Sequence, residues 1–454
     1  MKGIDHITNM YFLGIGGIGM SALARYFYTR GVHVSGYDKT PSAMTRALQS
    51  EGIVVSHSDD PACLASEPEL VVRTPAVPTS TKLYRHFQKH GVPMMKRAEV
   101  LGNLSASLPT IAIAGTHGKT TISAMLTHIL KTAGIPCIAF LGGISTNYNT
   151  NYIGEPNPHW LVAEADEYDR SFLHLSPQLA LITAIDPDHL DVYGNKEGLL
   201  ESFSIFAKRL PPGGTLITGK GIEGMIFHQG KQLQYHPEAP ADYYMGKIAV
   251  HEGIYHTSFH GKLEIGHVRS GHPGRHNLEN ALAAAALAHQ AGVPAYAIKS
   301  ALKSFRGVKR RFEICLQTED TIYIDDYAHH PEEISRCIAS AREMWPGKKI
   351  TGVFQPHLYS RTKDLAGDFA ESLAQLDELI LLDIYPARET PIEGVDAHML
   401  LKKINMDHAA YCPRNELLDR LNARETEVLI SMGAGDIDRF AEPITQLLKN
   451  KALK

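Results

Sequence analysis

The chain is poor in cysteine and tryptophan, has no excess of either charge, and lacks long apolar runs. Each shortage removes a class of protein. Its 454 residues include five cysteines, Cys63, Cys137, Cys315, Cys337 and Cys412. They are scattered, odd in number and free of CxxC spacing, which excludes a disulfide framework and a zinc ribbon and fits the reduced thiols of a cytoplasm. Lys and Arg number 45 against 49 Asp and Glu, a formal net charge of −4, so the basic excess of a generic nucleic-acid binder is missing. No run approaches the roughly 20 apolar residues of a membrane-spanning helix. The N-terminal MKGIDHITNMYF has no apolar core of a signal peptide. A cytoplasmic protein is expected, with no nucleic-acid partner and no membrane insertion. Hydrophobic content of 44% is that of an ordinary globular chain, and the length calls for two or three domains.

What is present is phosphate chemistry. The apolar run Pro109–Ala114 enters Gly115-Thr116-His117-Gly118-Lys119-Thr120-Thr121, after which a helix pattern begins at Ile122 and passes Leu130. A strand, a glycine turn and a helix start present backbone N–H groups to a phosphate, the lysine adds positive charge, and the next hydroxyl can reach Mg²⁺. The usual spacing of such a loop would place glycine at Ile113, so this is a shortened variant. Its expected ligand is ATP.

Upstream, the strand Met10–Leu13 runs into Gly14-Ile15-Gly16-Gly17-Ile18-Gly19, a helix from Met20 to Tyr28, and a second strand, Val32–Gly36, followed by Asp38. This unit suits a nucleotide diphosphate with a ribose or base, whether of NAD or of a UDP-linked compound. A further strand, Leu70–Arg73, opens into the loop Thr74–Pro78. Downstream, Trp160–Ala163 ends at Glu164-Ala165-Asp166-Glu167, placing a carboxylate where a P-loop enzyme holds Mg²⁺. The strand Leu179–Ile185 leads to Asp188-His189-Leu190-Asp191. Strands at Thr321–Ile324, Ile350–Phe354, Glu378–Leu382 and Glu427–Ser431 form a third block. The expected class is α/β, with a parallel sheet in the central block.

With these segments in place, the chain resembles the Mur ligase family over nearly its whole length. The marks are GIGGIGMSA (14–22), GTHGKTT (115–121), EADE (164–167), DHLD (188–191), GRHNLEN (274–280), FRGVKRRFE (305–313), DDYAHHP (325–331), QPHLYSRT (355–362) and GAGDI (433–437). The resemblance implies three domains. A Rossmann-like domain, 1–108, would bind the UDP substrate; a P-loop ATPase-like domain, 109–310, would bind ATP; a Rossmann-like domain, 311–454, would bind the amino acid. The implied reaction joins L-alanine to UDP-N-acetylmuramate, with ATP and Mg²⁺.

Roles follow motif by motif. Lys119, with Gly115, Thr116, His117, Gly118, Thr120 and Thr121, is expected at the ATP phosphates. Thr120 and Glu164 are expected on one Mg²⁺, and the family places His189 on a second. Asn277 and Asn280 suit an adenine edge, with Arg311 and Asp326 as further nucleotide contacts. Gly14, Gly16, Gly17, Gly19, Asp38 and Thr74 are expected at the UDP substrate. Tyr327, His329 and Arg361 are expected at the amino acid, where an arginine can pair with its carboxylate. A neutral histidine, His329 or His357, can take the amine's proton, and the residues alone leave the choice open. Several relatives carry a carbamylated lysine in the helix after DHxD. Here Leu199–Phe206 has no lysine, so Glu201 or water is expected in its place. Competing readings are a murein-peptide recycling ligase of the same family, an NAD-dependent oxidoreductase, and a non-catalytic nucleotide sensor.

Overall fold

The structure, a computed structural model, describes residues 4–186, 193, 195–222, 224–251, 253–387 and 389–452. Their strands assemble into three sheets. The first has five parallel strands in the order Val54–Ser56, His33–Tyr37, Asn9–Leu13, Leu70–Arg73, Met94–Lys96. Its central strand is apolar because it is covered on both faces, and Met10 to Leu13 are all buried. Such a continuous apolar run is the mark of a parallel strand inside a sheet. The helix Ile18–Tyr28 follows, burying Met20 to Phe27.

The central sheet has eleven strands. Its parallel part includes Thr110–Ala114 between Leu179–Ile182 and Trp160–Glu164, with Cys137–Ser145 beyond. The strand Thr110–Ala114 is completely buried. It feeds the Lys119–Thr132 helix through a turn in which Gly118 is left-handed, φ 79°. The helix Arg275–Gln290 is rich in alanine, and Ala281 through Ala288 show no exposure at all. Side chains this small allow neighbouring elements to pack close on every side.

The sheet is not purely parallel, contrary to the expectation for this block. Cys137–Ser145 pairs antiparallel with Thr150–Gly154, and Tyr243–Met245 and Ala249–His251 pair antiparallel with Ile254–Gly261. A second departure concerns the strand expected over Leu179–Ile185, which ends at Ile182. The phosphate loop crosses its end: the Thr183 hydroxyl donates to the His117 carbonyl at 2.7 Å, and the Thr116 N–H donates to the Ala184 carbonyl at 3.0 Å.

The third sheet runs Glu313–Gln317, Ile322–Asp326, Val428–Met432, Ile350–Phe354, Glu378–Leu381, Ala409–Tyr411. Only its first pair is antiparallel. Two compact units emerge from the chain. One comprises Met1–Lys247, Thr257–Val268 and Glu279–Arg306; the other comprises Ile248–His256, Arg269–Leu278 and Gly307–Lys454. The first sheet and the phosphate loop therefore belong to one body. Among the described residues no helix is long and apolar enough to cross a membrane.

Candidate functional site

Around the phosphate loop, Thr116, His117, Lys119 and Thr120 each have a defined polar side-chain partner. Gly115, at φ +114°, passes so close to Thr183 and Ala184 that a Cβ would strike their backbone nitrogens at 2.6 and 2.9 Å, so only glycine fits. Asn280 brings its side-chain oxygen against Gly118, leaving no room for a Cβ there. Thr116 donates to Asp186 at 3.2 Å, and His117 Nε2 lies 3.3 Å from the same carboxylate. Thr121 is buried as the third residue of the helix.

Lys119 Nζ donates to the Gly115 carbonyl at 2.6 Å and to Glu167 Oε1 at 2.9 Å. Burial alone would lower the pKa of this ammonium, but the carboxylates of Glu167 and Glu164 outweigh that effect. The group is held above its ordinary value and is a cation at neutral pH. Thr120 Oγ1 donates to the Glu164 carboxylate, 2.9 and 3.1 Å from its two oxygens. A hydroxyl and a carboxylate side by side form an oxygen donor set that fits a hard cation such as Mg²⁺. The space for it depends on Gly142, where a Cβ would overlap the Glu164 carboxylate and lie 2.9 Å from Thr120 Oγ1. Sequence reasoning missed Gly142. His189 lies outside the described residues.

At the first sheet, Gly14, φ +87°, donates its N–H to the Tyr37 carbonyl at 2.8 Å, and a Cβ there would sit 2.5 Å from Thr74. The two expected substrate loops are therefore neighbours. Asp38 spends its carboxylate on the turn itself, accepting from Gly16 N at 2.9 Å and Thr40 N at 3.0 Å. Gly17 is the N-cap of the helix and caps without a side chain, leaving N–H groups of its first turn for an anion. Gly19 permits the Arg97 side chain to lie across that helix start, 2.9 Å from where a Cβ would be. Arg97 also reaches Asp166 at 3.6 Å, linking the glycine loop to the EADE segment. It is a second residue whose position the sequence did not disclose.

In the other unit, Asp326 accepts from Phe312 N at 2.6 Å and Ala328 N at 2.7 Å. Burial pushes its carboxyl up to about 7, against the opposing pull of the Arg311 guanidinium and of these N–H groups. Arg311 stands 4.9 Å over the Tyr327 ring, which is 5.1 Å from the His329 ring. The rings of His329 and His357 lie 6.1 Å apart, nearly perpendicular, so the two histidine loops do meet. His329 Nδ1 lies 3.0 Å from the Tyr327 carbonyl. Burial, reinforced by Arg361 and Arg311 against the pull of Glu333, lowers its pKa and keeps the ring neutral near pH 7. Leu358, between His357 and the Tyr359–Asp364 helix, holds φ 70°, ψ 136°, a conformation costly for a branched side chain and typical of functional loops. Asn277 donates to the Pro273 carbonyl at 2.6 Å, so its side-chain amide braces the helix start.

A P-loop on a mainly parallel sheet, accompanied by two Rossmann-like sheets, defines a three-domain α/β protein. Family models match in succession: Mur ligase family, catalytic domain, over 9–108; Mur ligase middle domain over 113–288; and Mur ligase, glutamate ligase domain, over 310–435. The chain is 46% identical over 453 residues to the UDP-N-acetylmuramate–L-alanine ligase of Parabacteroides distasonis, covering 98% of each chain. It is 45% identical over 461 residues to that of Cytophaga hutchinsonii, covering 99% of this chain and 98% of that one. Among solved structures, the UDP-N-acetylmuramate-alanine ligase of Thermotoga maritima superposes with a TM-score of 0.85 at 28% identity, covering 98% of this chain and 100% of that one. A murein peptide ligase of Psychrobacter arcticus gives 0.71 at 22%, covering 97% and 98%. The chain belongs to the Mur ligase family.

Proposed function

We propose that the chain joins L-alanine to the carboxylate of UDP-N-acetylmuramate with hydrolysis of ATP, a cytoplasmic step of peptidoglycan precursor synthesis. The observation that carries this is near-full-length identity of about 45% to alanine-adding relatives in a chain whose phosphate loop pairs Lys119 with Glu167 and Thr120 with Glu164. We assign the domains to 1–108, 109–310 and 311–454, for the UDP substrate, ATP and the amino acid in turn.

A carboxylate does not react with an amine until one of its oxygens becomes a leaving group. The γ-phosphoryl group of ATP moves to a carboxylate oxygen; the bond to ADP breaks and an acyl phosphate forms. The alanine nitrogen then attacks the acyl carbon, phosphate departs with the bonding pair, and the nitrogen loses a proton. Phosphoryl transfer asks mainly for positioning and charge neutralisation. Lys119 and the loop N–H groups orient the triphosphate, and Asn280 and Asn277, with Arg311 and Asp326, serve the rest of the nucleotide. Mg²⁺ held by Thr120 and Glu164 would neutralise charge on the transferred group, and His189 is assigned to a second ion. Gly14, Gly16, Gly17, Gly19, Asp38 and Thr74 position the UDP portion. Arg361 and Tyr327 take the amino acid, and His329, neutral at pH 7, accepts the proton, with His357 beside it.

The test is ADP release by purified protein with UDP-N-acetylmuramate and a panel of amino acids, including a murein tripeptide. Alanine should give the highest kcat/KM; preference for the tripeptide would identify a recycling ligase instead. Oxygen-18 placed in the substrate carboxylate should appear in the released phosphate. Label retained wholly in the product would exclude the acyl phosphate.

A further inference from the structure

The EADE segment and the turn after it carry four carboxylates whose partners divide them sharply. Asp166 pairs with Arg97 at 3.6 Å and Asp169 with Lys96 at 2.9 Å; both acids are well exposed and both partners come from the first domain. Glu164 and Glu167 turn instead to the phosphate loop, to the consecutive residues Thr120 and Lys119. Glu167 is 2% exposed. One of its oxygens takes the Lys119 ammonium, and the other, Oε2, is buried and accepts no hydrogen bond among the described residues. Its backbone carbonyl accepts from the Tyr193 hydroxyl.

Lys119 is a buried cation and needs an anion, which Glu167 provides. When a triphosphate arrives, its oxygens take over the lysine. Glu167 is then a buried carboxylate facing phosphate, with one oxygen already lacking a donor. A buried carboxylate in that position requires a new positive partner. Asp166 and Asp169 already engage Arg97 and Lys96, so a divalent cation entering with the substrates is the fitting replacement.

We propose that Glu167 is a second cation-binding carboxylate of the site, a residue that holds Lys119 before nucleotide binds and a divalent ion afterwards. Glu164 and Glu167 would thus serve two different ions. The inference rests on the ATP-ligase reading above and deepens it.

Glu167→Gln, nearly isosteric, tests it through Mn²⁺ binding followed by electron paramagnetic resonance in the full chain. With a non-hydrolysable ATP analogue and UDP-N-acetylmuramate, the unaltered protein should bind two Mn²⁺. The variant should keep one and bind the other at least ten-fold more weakly, while its affinity for ADP without metal stays equal or rises, because Lys119 has lost its competing anion. Equal Mn²⁺ affinities in both proteins would overturn the proposal, as would a parallel loss of metal-free ADP binding, which would show a role limited to holding Lys119. Lys119→Met supplies an independent arm. Freed of the lysine, Glu167 should bind Mn²⁺ without nucleotide, and Mn²⁺ should raise the Tm of this variant more than that of the unaltered protein. That gain should vanish in Lys119→Met/Glu167→Gln; a gain unchanged in the double variant also refutes it. If the unaltered protein binds no ATP analogue at all, the ligase reading fails instead.

Discussion

Lys119 serves charge stabilisation and folding at once. Lys119→Ala removes a preorganised donor at the phosphates, a loss of about 10²–10³ in kcat. It also strands the buried Glu167 carboxylate. Breaking a buried pair on one side costs roughly 3–5 kcal/mol, so a lower Tm is expected alongside the kinetic loss; full turnover would remove the loop from the mechanism. Gly142→Ala acts from the other side, driving a methyl group into Glu164 and Thr120. It should raise the Mg²⁺ concentration needed for half-maximal rate several-fold, and an unchanged Mg²⁺ requirement would show that Glu164 does not hold the ion. Lys119 and Glu164 were legible in the sequence because their motifs fix their neighbours. Gly142 and Glu167 were not, since their meaning lies in contacts made across 22 and 48 positions.

Among elements, parallel strands were easiest to read, because burial on both faces gives continuous apolar runs such as Leu179–Ile182. The strands Lys231–His236 and Ile254–Gly261 escaped. Their burial alternates residue by residue, and beside Leu233 and Phe259 their buried positions hold Tyr235, Tyr255 and Thr257, which weakens the apolar signal. The helix Lys196–Ala207 has its one lysine at its first residue. Carbamate formation needs a neutral amine and CO₂, and no interior lysine is present to supply the amine. Turnover should therefore be unchanged when CO₂ is depleted at mildly acidic pH; recovery on adding bicarbonate would contradict this. Acid sensitivity should arise around the start of the Arg275–Gln290 helix. Burial, aided by the Arg336 guanidinium, lowers His276 to about 4. Because the folded value lies below the ordinary 6.5 or so, the unfolded chain takes up a proton that the folded one refuses. The contribution to stability is complete above about pH 6.5 and is lost as pH falls toward 4, at about 1.4 kcal/mol per pH unit. His276→Gln should flatten the stability curve by that slope in denaturant titrations between pH 6.5 and 4.5. Asp326, raised to about 7 by burial, works with the opposite sign, so Asp326→Asn should steepen the same curve.

At the scale of the whole molecule, the three domain matches and the two compact units divide the chain differently. Asn151, completely buried in the central sheet, donates to the Ile18 carbonyl at 2.6 Å and the Ser21 hydroxyl at 2.9 Å. It also accepts from Arg25, which Glu51 holds by two further bonds at 2.6 and 2.7 Å. Tyr26 meets Phe140 and Tyr152 beside this network, ring centroids 5.6 and 6.1 Å away. Asn151→Leu removes these three hydrogen bonds, each worth about 0.5–1.5 kcal/mol, and should lower the urea midpoint measurably. A midpoint unchanged within error would mean that water replaces the amide. Ancestry and cohesion are thus parted in this protein. Borrowing the nucleotide-sugar module of a distant cousin by splicing at residue 108 would sever a seam already sealed by Arg25 and Asn151, so a workable chimera must inherit the hairpin bearing Asn151 together with the helix that it clasps.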